Sequence, residues 1–356
     1  MKNNLFSRSL PRLLALLAAL MLLPLPVLAE GTGADVEDVD LPELTGPAEP
    51  REYLLPIDFS TGPAPKASGF SDTKDENKNP VRKYEDSTIS VTVSQFKYYG
   101  PEGKWGYTDI WYADIVISDP SQLRTASISK TSMDFTKTDA DKFANGFDRT
   151  KAVIAMNGDS WCASEKKGYG VVVRQGQLIQ SMTKMDESGK WAMDLLVIDG
   201  DGDFQGIHAA KAGDYDLDNP TVYKGKQVLN VFSFGPILVE NGEQVYDFQG
   251  TDRERSAGGT WLKMRTDLRS QRAVLCQMGP LHYRIYTCAG ERSGNRGLTL
   301  PEMAELLAAQ GVQFAYNMDG GESSVLYLQG YGKVNMRSTG VRNLWDLIYF
   351  ASAENE

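Results

Sequence analysis

Hydrophobic and polar positions alternate along much of the chain after residue 81. In the stretch STISVTVSQF, Ile89, Val91 and Val93 fall on one face, which predicts a strand with one solvated face. The stretch DIWYADIVISD repeats the pattern, and the Gly- and Pro-containing segment between the two stretches predicts a hairpin loop. The pattern therefore places an antiparallel strand pair at the start of the folded part.

More short apolar runs follow, each bounded by turn-forming residues. The runs KAVIAM and VQFAYNM predict buried strands that end in polar loops. Turn signals between paired runs predict further hairpins at Gln175-Gly176, Asp199 to Gly202, Asn241-Gly242 and Gly279-Pro280.

One helix is well marked. Thr299 and Glu302 form a T-x-x-E capping box, Met303 and Leu307 recur at helical spacing, and Gly311 ends the run. Because strands outnumber helices, the pattern predicts an α+β fold. We expect a single mixed domain over residues 81–353, with a strand- and hairpin-rich sheet and few helices.

The N-terminal part differs in composition. Residues 1–29 have basic residues before a short apolar run and small residues at Val27 and Ala29, which is typical of a signal peptide. The run is shorter than the roughly 20 residues of a spanning helix, so cleavage is favoured and an uncleaved anchor is the alternative. The acidic, Pro-rich residues 30–80 predict a disordered tether, or else a flap packed on the domain. We expect a secreted or envelope-associated protein.

Composition excludes several classes of function. The 356 residues carry a net charge of -10 without a basic patch, so nucleic acid is not an expected partner, and a membrane is expected only through an uncleaved signal segment. Two histidines and no CxxC pair argue against a zinc centre. Cys162, Cys276 and Cys288 allow at most one internal disulfide, and their spacing leaves the pairing open.

Two loops carry candidate chemistry. After the strand VQFAYNM, Asp319 and Glu322 offer carboxylates, Gly320-Gly321 allows a sharp turn whose N–H groups could hold an anion, and Ser323 adds a hydroxyl. Ordinary turn chemistry is the alternative. After KAVIAM, the sequence AMNGDSW places Asn157, Gly158 and Asp159 at a second strand end, with the same alternative.

A third segment links these loops. The run CAGERSGNRGLTLPEMAELL places Glu291 and Arg292 after a strand, and parallel strands would bring them to the rim that holds Asp319. Arg292, Arg296 or Arg272 could clamp a phosphate, although surface ion pairing is the commoner role of arginine.

This third segment resembles the signature of the phosphodiester glycosidase family, in which G-L-T-L-x-E-x-A-x-L-L precedes a strand ending in N-L-D-G-G-G-S-S. The chain has GLTLPEMAELL and NMDGGESS at these places. AMNGDSW, FGPILV, Arg272, and GVRNLW with Asn343 are similar to other elements of the family, although Ala273 replaces a threonine after Arg272. The resemblance covers residues 150–350.

The resemblance implies an exported hydrolase that cleaves a sugar-1-phosphodiester of a cell-envelope or extracellular glycan, such as an exopolysaccharide. It releases the sugar and a phosphomonoester. The implied catalytic residues are Asp319, with Glu322 and Asp159 as further candidates. The implied substrate-binding residues are Asn157, Gly158, Arg272, Arg292, Gly320, Gly321, Ser323 and Asn343.

The chain departs from the family pattern at Glu322, where a third glycine is usual. This departure leaves open a non-catalytic polysaccharide binder or assembly protein. No cofactor is expected. The alternative is a calcium-dependent phosphodiesterase in which Asp159, Asp319 and Glu322 supply oxygen ligands.

Overall fold

The computed structural model describes residue 44 and residues 63–100, 106–128, 142–158, 170–181, 194–210, 213–246, 255–257, 260–262, 266–291, 295–335 and 342–354. Its strands are β1 (Phe70–Lys74), β2 (Pro80–Glu85), β3 (Ile89–Tyr98), β4 (Thr108–Ile117), β5 (Leu123–Ser127), β6 (Ile154–Asn157), β7 (Val171–Arg174), β8 (Gln177–Ser181), β9 (Leu195–Asp199), β10 (Phe204–Ile207), β11 (Val222–Tyr223), β12 (Lys226–Phe232), β13 (Ile237–Glu240), β14 (Glu243–Gln244), β15 (Arg255–Ala257), β16 (Thr260–Leu262), β17 (Ala273–Gly279), β18 (His282–Cys288), β19 (Phe314–Met318), β20 (Leu326–Leu328), β21 (Gly332–Lys333) and β22 (Asp346–Phe350). The α-helices within these ranges are α1 (Phe143–Asp148) and α2 (Leu300–Ala309).

The strands form a large antiparallel sheet and smaller ones. The large sheet has the order β1-β2-β3-β4-β18-β17-β19-β13-β14. A second sheet has the order β10-β9-β12-β7-β8 with β11 beside β12, a third has the order β21-β20-β6-β22-β5, and β15 pairs with β16. This strand-rich α+β architecture with few helices confirms the fold class predicted from the pattern.

The alternating pattern explains which faces are buried. On β19, Tyr316 and Met318 join a core cluster that also contains Ile198 of β9 and Ile348 of β22. Ala315, which precedes Tyr316 on the strand, faces the other way and packs in the cluster that contains helix α2. The large sheet therefore packs its two faces against different partners.

The predicted hairpins are confirmed. β3 pairs with β4, β7 with β8, β9 with β10, β13 with β14, and β17 with β18, each antiparallel and at the predicted turn. The buried alternation of Ile89, Val91 and Val93 on β3 is also as predicted.

The boundary of the predicted tether is wrong at its C-terminal end. Residues 30–80 are predicted to form a disordered tether or a flap packed on the domain, and β1, which lies within them, pairs in register with β2. Phe70 packs on the ring of Tyr84 at 4.6 Å, and Asp75 accepts a 2.7 Å hydrogen bond from the Asn79 backbone N–H. The polar composition therefore reflects an edge hairpin. The predicted signal peptide and the rest of the tether, apart from residue 44, lie outside the described residues.

Two further observations bear on the sequence analysis. Cys276 and Cys288 are buried free thiols, and Cys162 lies outside the described residues. No helix in the ranges given above has the length and hydropathy needed to cross a membrane.

Helix α2 begins with the predicted capping box. Thr299 accepts from the Glu302 backbone N–H, and the Glu302 carboxylate accepts from the Thr299 N–H at 3.0 Å. Arg269 donates two hydrogen bonds to the same carboxylate, at 2.6 and 2.7 Å. Burial raises the pKa of Glu302, but the hydrogen bonds from Arg269 and Thr299 and the charge of Arg296 outweigh it, so the pKa lies below the ordinary 4.5.

We therefore expect Glu302→Gln to lower the free energy of unfolding at neutral pH by about 1–2 kcal/mol, because the cap and the Arg269 pair both weaken. A carboxylate with a depressed pKa stabilises the fold above its unfolded pKa, so the difference from wild type should shrink as pH falls below the ordinary value of 4.5. Urea unfolding measures both. Glu305→Gln, exposed on the same helix, is the control, and an equal loss there would contradict this role of Glu302.

Candidate active site

The two candidate loops meet in the structure. The side-chain N–H of Asn157, at the end of β6, donates to the backbone carbonyl of Asp319 at 2.7 Å. The Asn157 oxygen accepts from the N–H of Val325 at 3.2 Å. Asn157 is fully buried. Its predicted role in substrate binding is thus accompanied by an observed role, which is to tie one loop to the other.

The two glycines fit the loop against strand β17. A Cβ at Gly320 would lie 2.5 Å from the carbonyl oxygen of Gln271, so the two backbones could not approach this closely with any other residue. Gly321 has a φ of +61° and donates its N–H to the same carbonyl at 3.0 Å. The N–H of Gly321 therefore holds the loop, where the sequence had suggested a contact with an anion.

The Asp319 carboxylate is held from two sides. Its Oδ2 accepts a 2.6 Å hydrogen bond from the hydroxyl of Ser323, which is fully buried. The same oxygen contacts Nη2 of Arg342 in an ion pair. Only 10% of the Asp319 side chain is exposed, against 40% for Arg342. Ser323 thus orients the carboxylate, and Arg342 covers it from the solvent side.

A cavity of about 460 Å³ opens beside this loop. It is lined by residues from the β17 approach, the end of β18 and the Asp319 loop, namely Leu268, Arg269, Ser270, Gln271, Gly290, Glu291, Gly320, Gly321, Glu322 and Arg342. Strands β18 and β19 run parallel, as expected, but β17 lies between them. Glu291 and exposed Glu322 therefore share the rim across an intervening strand.

The other predicted ligands are placed as follows. The Arg272 guanidinium donates to the carbonyls of Leu298 (3.0 Å) and Leu268, and burial lowers its pKa. These contacts support the backbone around the cavity. Asn343 is exposed next to Arg342. The predicted residues Asp159 and Arg292 lie outside the described residues.

A buried ion pair behind the loops was not predicted. Asp346, at the start of β22, accepts from Arg174 Nε and Nη2 at 3.1 and 3.0 Å, both on Oδ2. Arg174 also donates to the Val173 carbonyl at 3.1 Å and stacks on the Phe232 ring at 4.1 Å. Among the described residues, Oδ1 of Asp346 has no hydrogen-bond partner. The available signal was a charge inside each of two apolar runs, VVVR and WDLIYF.

Gly158 lies directly against this pair. Its N–H donates to the Asp346 carbonyl at 3.2 Å, and a Cβ at residue 158 would overlap the Asp346 carboxylate. Burial raises the pKa of Asp346, the charge of Arg174 lowers it and that of Asp319 raises it, with a net value above the ordinary 3.8. Gly158 therefore makes room for a carboxylate that is electrostatically linked to Asp319.

Comparison with known proteins identifies the family. The family model for phosphodiester glycosidases matches residues 150–351, which is more than half of the chain. The chain belongs to the phosphodiester glycosidase family. This membership makes it a hydrolase and confirms the resemblance seen in the sequence. Both contacting loops, Arg174, Arg342 and Asp346 lie within the matched residues.

One solved structure agrees with the fold, and a second shows a weaker similarity. The zebrafish N-acetylglucosamine-1-phosphodiester alpha-N-acetylglucosaminidase catalytic domain, auto-inhibited by its pro-peptide, is similar at 16% identity and a TM-score of 0.56, over 89% of this chain and 99% of that one. A hypothetical protein from Synechocystis is similar at 12% identity and a TM-score of 0.48, over 79% and 68% of the two chains. A search of curated proteins finds no match.

The geometry also bears on metal binding in this family member. Within the described ranges, no group of three or more His, Cys, Asp or Glu side chains is arranged to hold a metal ion. The Asp319 carboxylate instead has a hydroxyl and a guanidinium as partners.

Because the Asp346 carboxylate fills the space beside residue 158, we expect Gly158→Ala to lower the free energy of unfolding by about 3 kcal/mol or more. Chemical denaturation measures this loss. Gly279→Ala is the matched control, since a Cβ there meets nothing within 4 Å. A loss at Gly158 no larger than at Gly279 would contradict the packing described.

We expect Arg174→Met to cost about 3–5 kcal/mol at neutral pH, because it leaves the Asp346 carboxylate buried without its counter-charge. A buried acid whose pKa is raised in the folded state makes the fold less stable as the pH rises above its unfolded pKa. The loss caused by Arg174→Met should therefore be smaller at about pH 4. Urea unfolding at the two pH values tests this. The double variant Arg174→Met/Asp346→Asn should recover part of the loss, and no recovery would argue against an uncompensated charge.

Proposed function

We propose that this protein is an exported glycosidase that hydrolyses a sugar-1-phosphodiester and releases the sugar and a phosphomonoester. The contact between Asn157 and the carbonyl of Asp319 carries the proposal, because it joins the two motifs of the family into one site beside a cavity. The zebrafish relative, by its name, acts on a sugar-1-phosphodiester. The signal-peptide pattern of residues 1–29 supports export, and an envelope or extracellular glycan such as an exopolysaccharide is the substrate we propose.

The chemistry requires one carboxylate at the reacting carbon. Water attacks C1 of the sugar, the bond from C1 to the phosphate oxygen breaks with its electron pair going to the phosphate, and the proton of the water passes to Asp319. A phosphate group is already a good leaving group, so strong acid assistance at that oxygen is less necessary. The same carboxylate would stabilise oxocarbenium character in the transition state.

The environment of Asp319 suits this role. Its side chain is mostly buried in the loop beside the open cavity, and Ser323 fixes its orientation. Glu322, two residues past the Gly320 close approach, is exposed on the cavity rim. In our proposal Glu322 contacts the sugar or the alcohol side of the phosphodiester, and the mechanism needs no metal cofactor.

A panel of sugar-1-phosphodiesters, including UDP-sugars and p-nitrophenyl sugar phosphodiesters, tests the reaction, with NMR analysis of the products. We expect release of free sugar and a phosphomonoester, and a fall in kcat of about 10²–10⁴-fold in Asp319→Asn. Thermal unfolding of the variant checks that it folds. Asp218→Asn, an exposed acid, is the control and should keep wild-type activity.

Three outcomes would count against the proposal. Sugar binding without turnover in wild type and Asp319→Asn alike would favour the non-catalytic polysaccharide binder. Activity abolished by a chelator and restored by Ca²⁺ would favour the calcium-dependent phosphodiesterase. Full activity in Asp319→Asn would remove that carboxylate from the mechanism.

A further inference from the structure

The ion pair between Arg342 and Asp319 is a contact between a catalytic carboxylate and a cation on the cavity wall. Arg342 lines the cavity with 40% of its side chain exposed, while its Nη2 lies on Oδ2 of Asp319. Its backbone N–H is 3.4 Å from the carbonyl of Glu322, so the segment that carries Arg342 also touches the Asp319 loop. The guanidinium can therefore reach solvent without leaving the site.

Among the described residues, the other arginines near the cavity are engaged differently. Arg269 donates two hydrogen bonds to Glu302, and Arg296 pairs with the same carboxylate at 2.8 Å. Arg272 donates to backbone carbonyls. These bonds belong to the helix cap and to the loop scaffold, so moving any of these guanidinium groups would disrupt the fold around them. The contacts that the described residues make with Arg342 are to Asp319 and to the Glu322 carbonyl, so moving its guanidinium would affect only the Asp319 loop.

A phosphate group is a stronger partner for Arg342 than a carboxylate. The planar guanidinium can bind two phosphate oxygens at once, and a phosphate carries more acceptor oxygens than Asp319 offers from a single Oδ2. The carboxylates Glu291 and Glu322 also line the cavity, and their charge would disfavour an anion there, so a cation on the cavity wall would help phosphate to bind. Substrate phosphate and Asp319 would thus compete for one guanidinium.

We propose that Arg342 is the phosphate ligand of this site and that the phosphate of the substrate takes it from Asp319. The inference rests on the proposed function for the identity of the substrate. Binding of phosphate then releases Oδ2 of Asp319 from its counter-ion, and the carboxylate can accept a proton from water. Without an anion, Arg342 holds the carboxylate neutralised, so the site is active only when a phosphodiester is present.

The competition has a distinctive consequence. Removing the carboxylate should strengthen phosphate binding, because Asp319→Asn removes both the internal partner of Arg342 and a like charge beside the ligand. A residue that simply contacts phosphate would behave in the opposite way when it is removed. The two variants Asp319→Asn and Arg342→Gln therefore distinguish two cases. In one, phosphate replaces Asp319 as the partner of Arg342; in the other, the ion pair stays intact.

Isothermal titration with inorganic phosphate, and then with glucose 1-phosphate, tests this on the full chain. We expect Arg342→Gln to weaken binding about tenfold or more, since a hydrogen-bonded charge is lost, and Arg342→Lys to recover part of it. Asp319→Asn should bind several-fold more tightly than wild type. Lys224→Gln removes an exposed charge elsewhere and should leave the affinity unchanged.

Unchanged affinity in Arg342→Gln would overturn the proposal, as would weaker binding in Asp319→Asn. Thermal unfolding of each variant confirms that the folded protein is being titrated. The two proposals fail separately. If the phosphate affinities follow the expected order but no sugar phosphodiester is hydrolysed, the role of Arg342 as phosphate ligand is supported and the proposed reaction is wrong. If hydrolysis occurs and Arg342→Gln leaves KM unchanged, the proposed reaction is supported and the role of Arg342 as phosphate ligand is wrong.

Discussion

The carboxylate of Asp346 occupies the space that a side chain at residue 158 would need, and the rest of the site depends on this constraint. Asp346 starts β22, Gly158 follows β6, and Arg174 ends β7, so the pair joins two sheets. Burying two charges is costly unless their remaining hydrogen bonds are made. Arg174 meets this condition through its contacts with Oδ2 and a bond to the Val173 carbonyl, whereas Oδ1 of Asp346 has no hydrogen-bond partner among the described residues.

The position of Asp319 follows from this arrangement. Asn157 immediately precedes Gly158, and its side-chain N–H donates to the carbonyl of Asp319, so the strand end that contacts the buried pair also holds the Asp319 loop. Gly320 packs against the Gln271 backbone, just before strand β17, from the other side. The backbone on both sides of the Asp319 side chain is thus held in place, and the Ser323 hydroxyl orients the carboxylate itself.

The charged residues near the cavity fall into two groups, those whose contacts hold the fold and the Asp319–Arg342 pair. Glu302 forms ion pairs with Arg269 and Arg296 and caps the helix, and Arg272 donates to backbone carbonyls. These contacts hold the cavity wall in place. Asp319 and Arg342 pair with each other at the wall's edge. Arg342 has 40% of its side chain exposed and Asp319 only 10%, so solvent reaches the cation of this pair more than the carboxylate.

The sequence by itself determined the local elements. Alternating residues predicted the strands, turn residues predicted the hairpins, and Thr299 with Glu302 predicted the helix start, because each depends on neighbours within a few positions. The motifs around Asn157 and Asp319 also indicated the family. Composition misjudged residues 63–80, since pairing with β2 rather than hydrophobicity orders β1.

Only the tertiary structure decided how distant residues combine. The pairs Arg174–Asp346 and Asp319–Arg342 join positions 172 and 23 residues apart, and no periodicity encodes such distances. The same holds for the glycines, because the atoms that exclude a Cβ at Gly158 and Gly320 come from β22 and from the approach to β17. Local patterns record what a residue's neighbours require, whereas these constraints exist only after the sheets have packed.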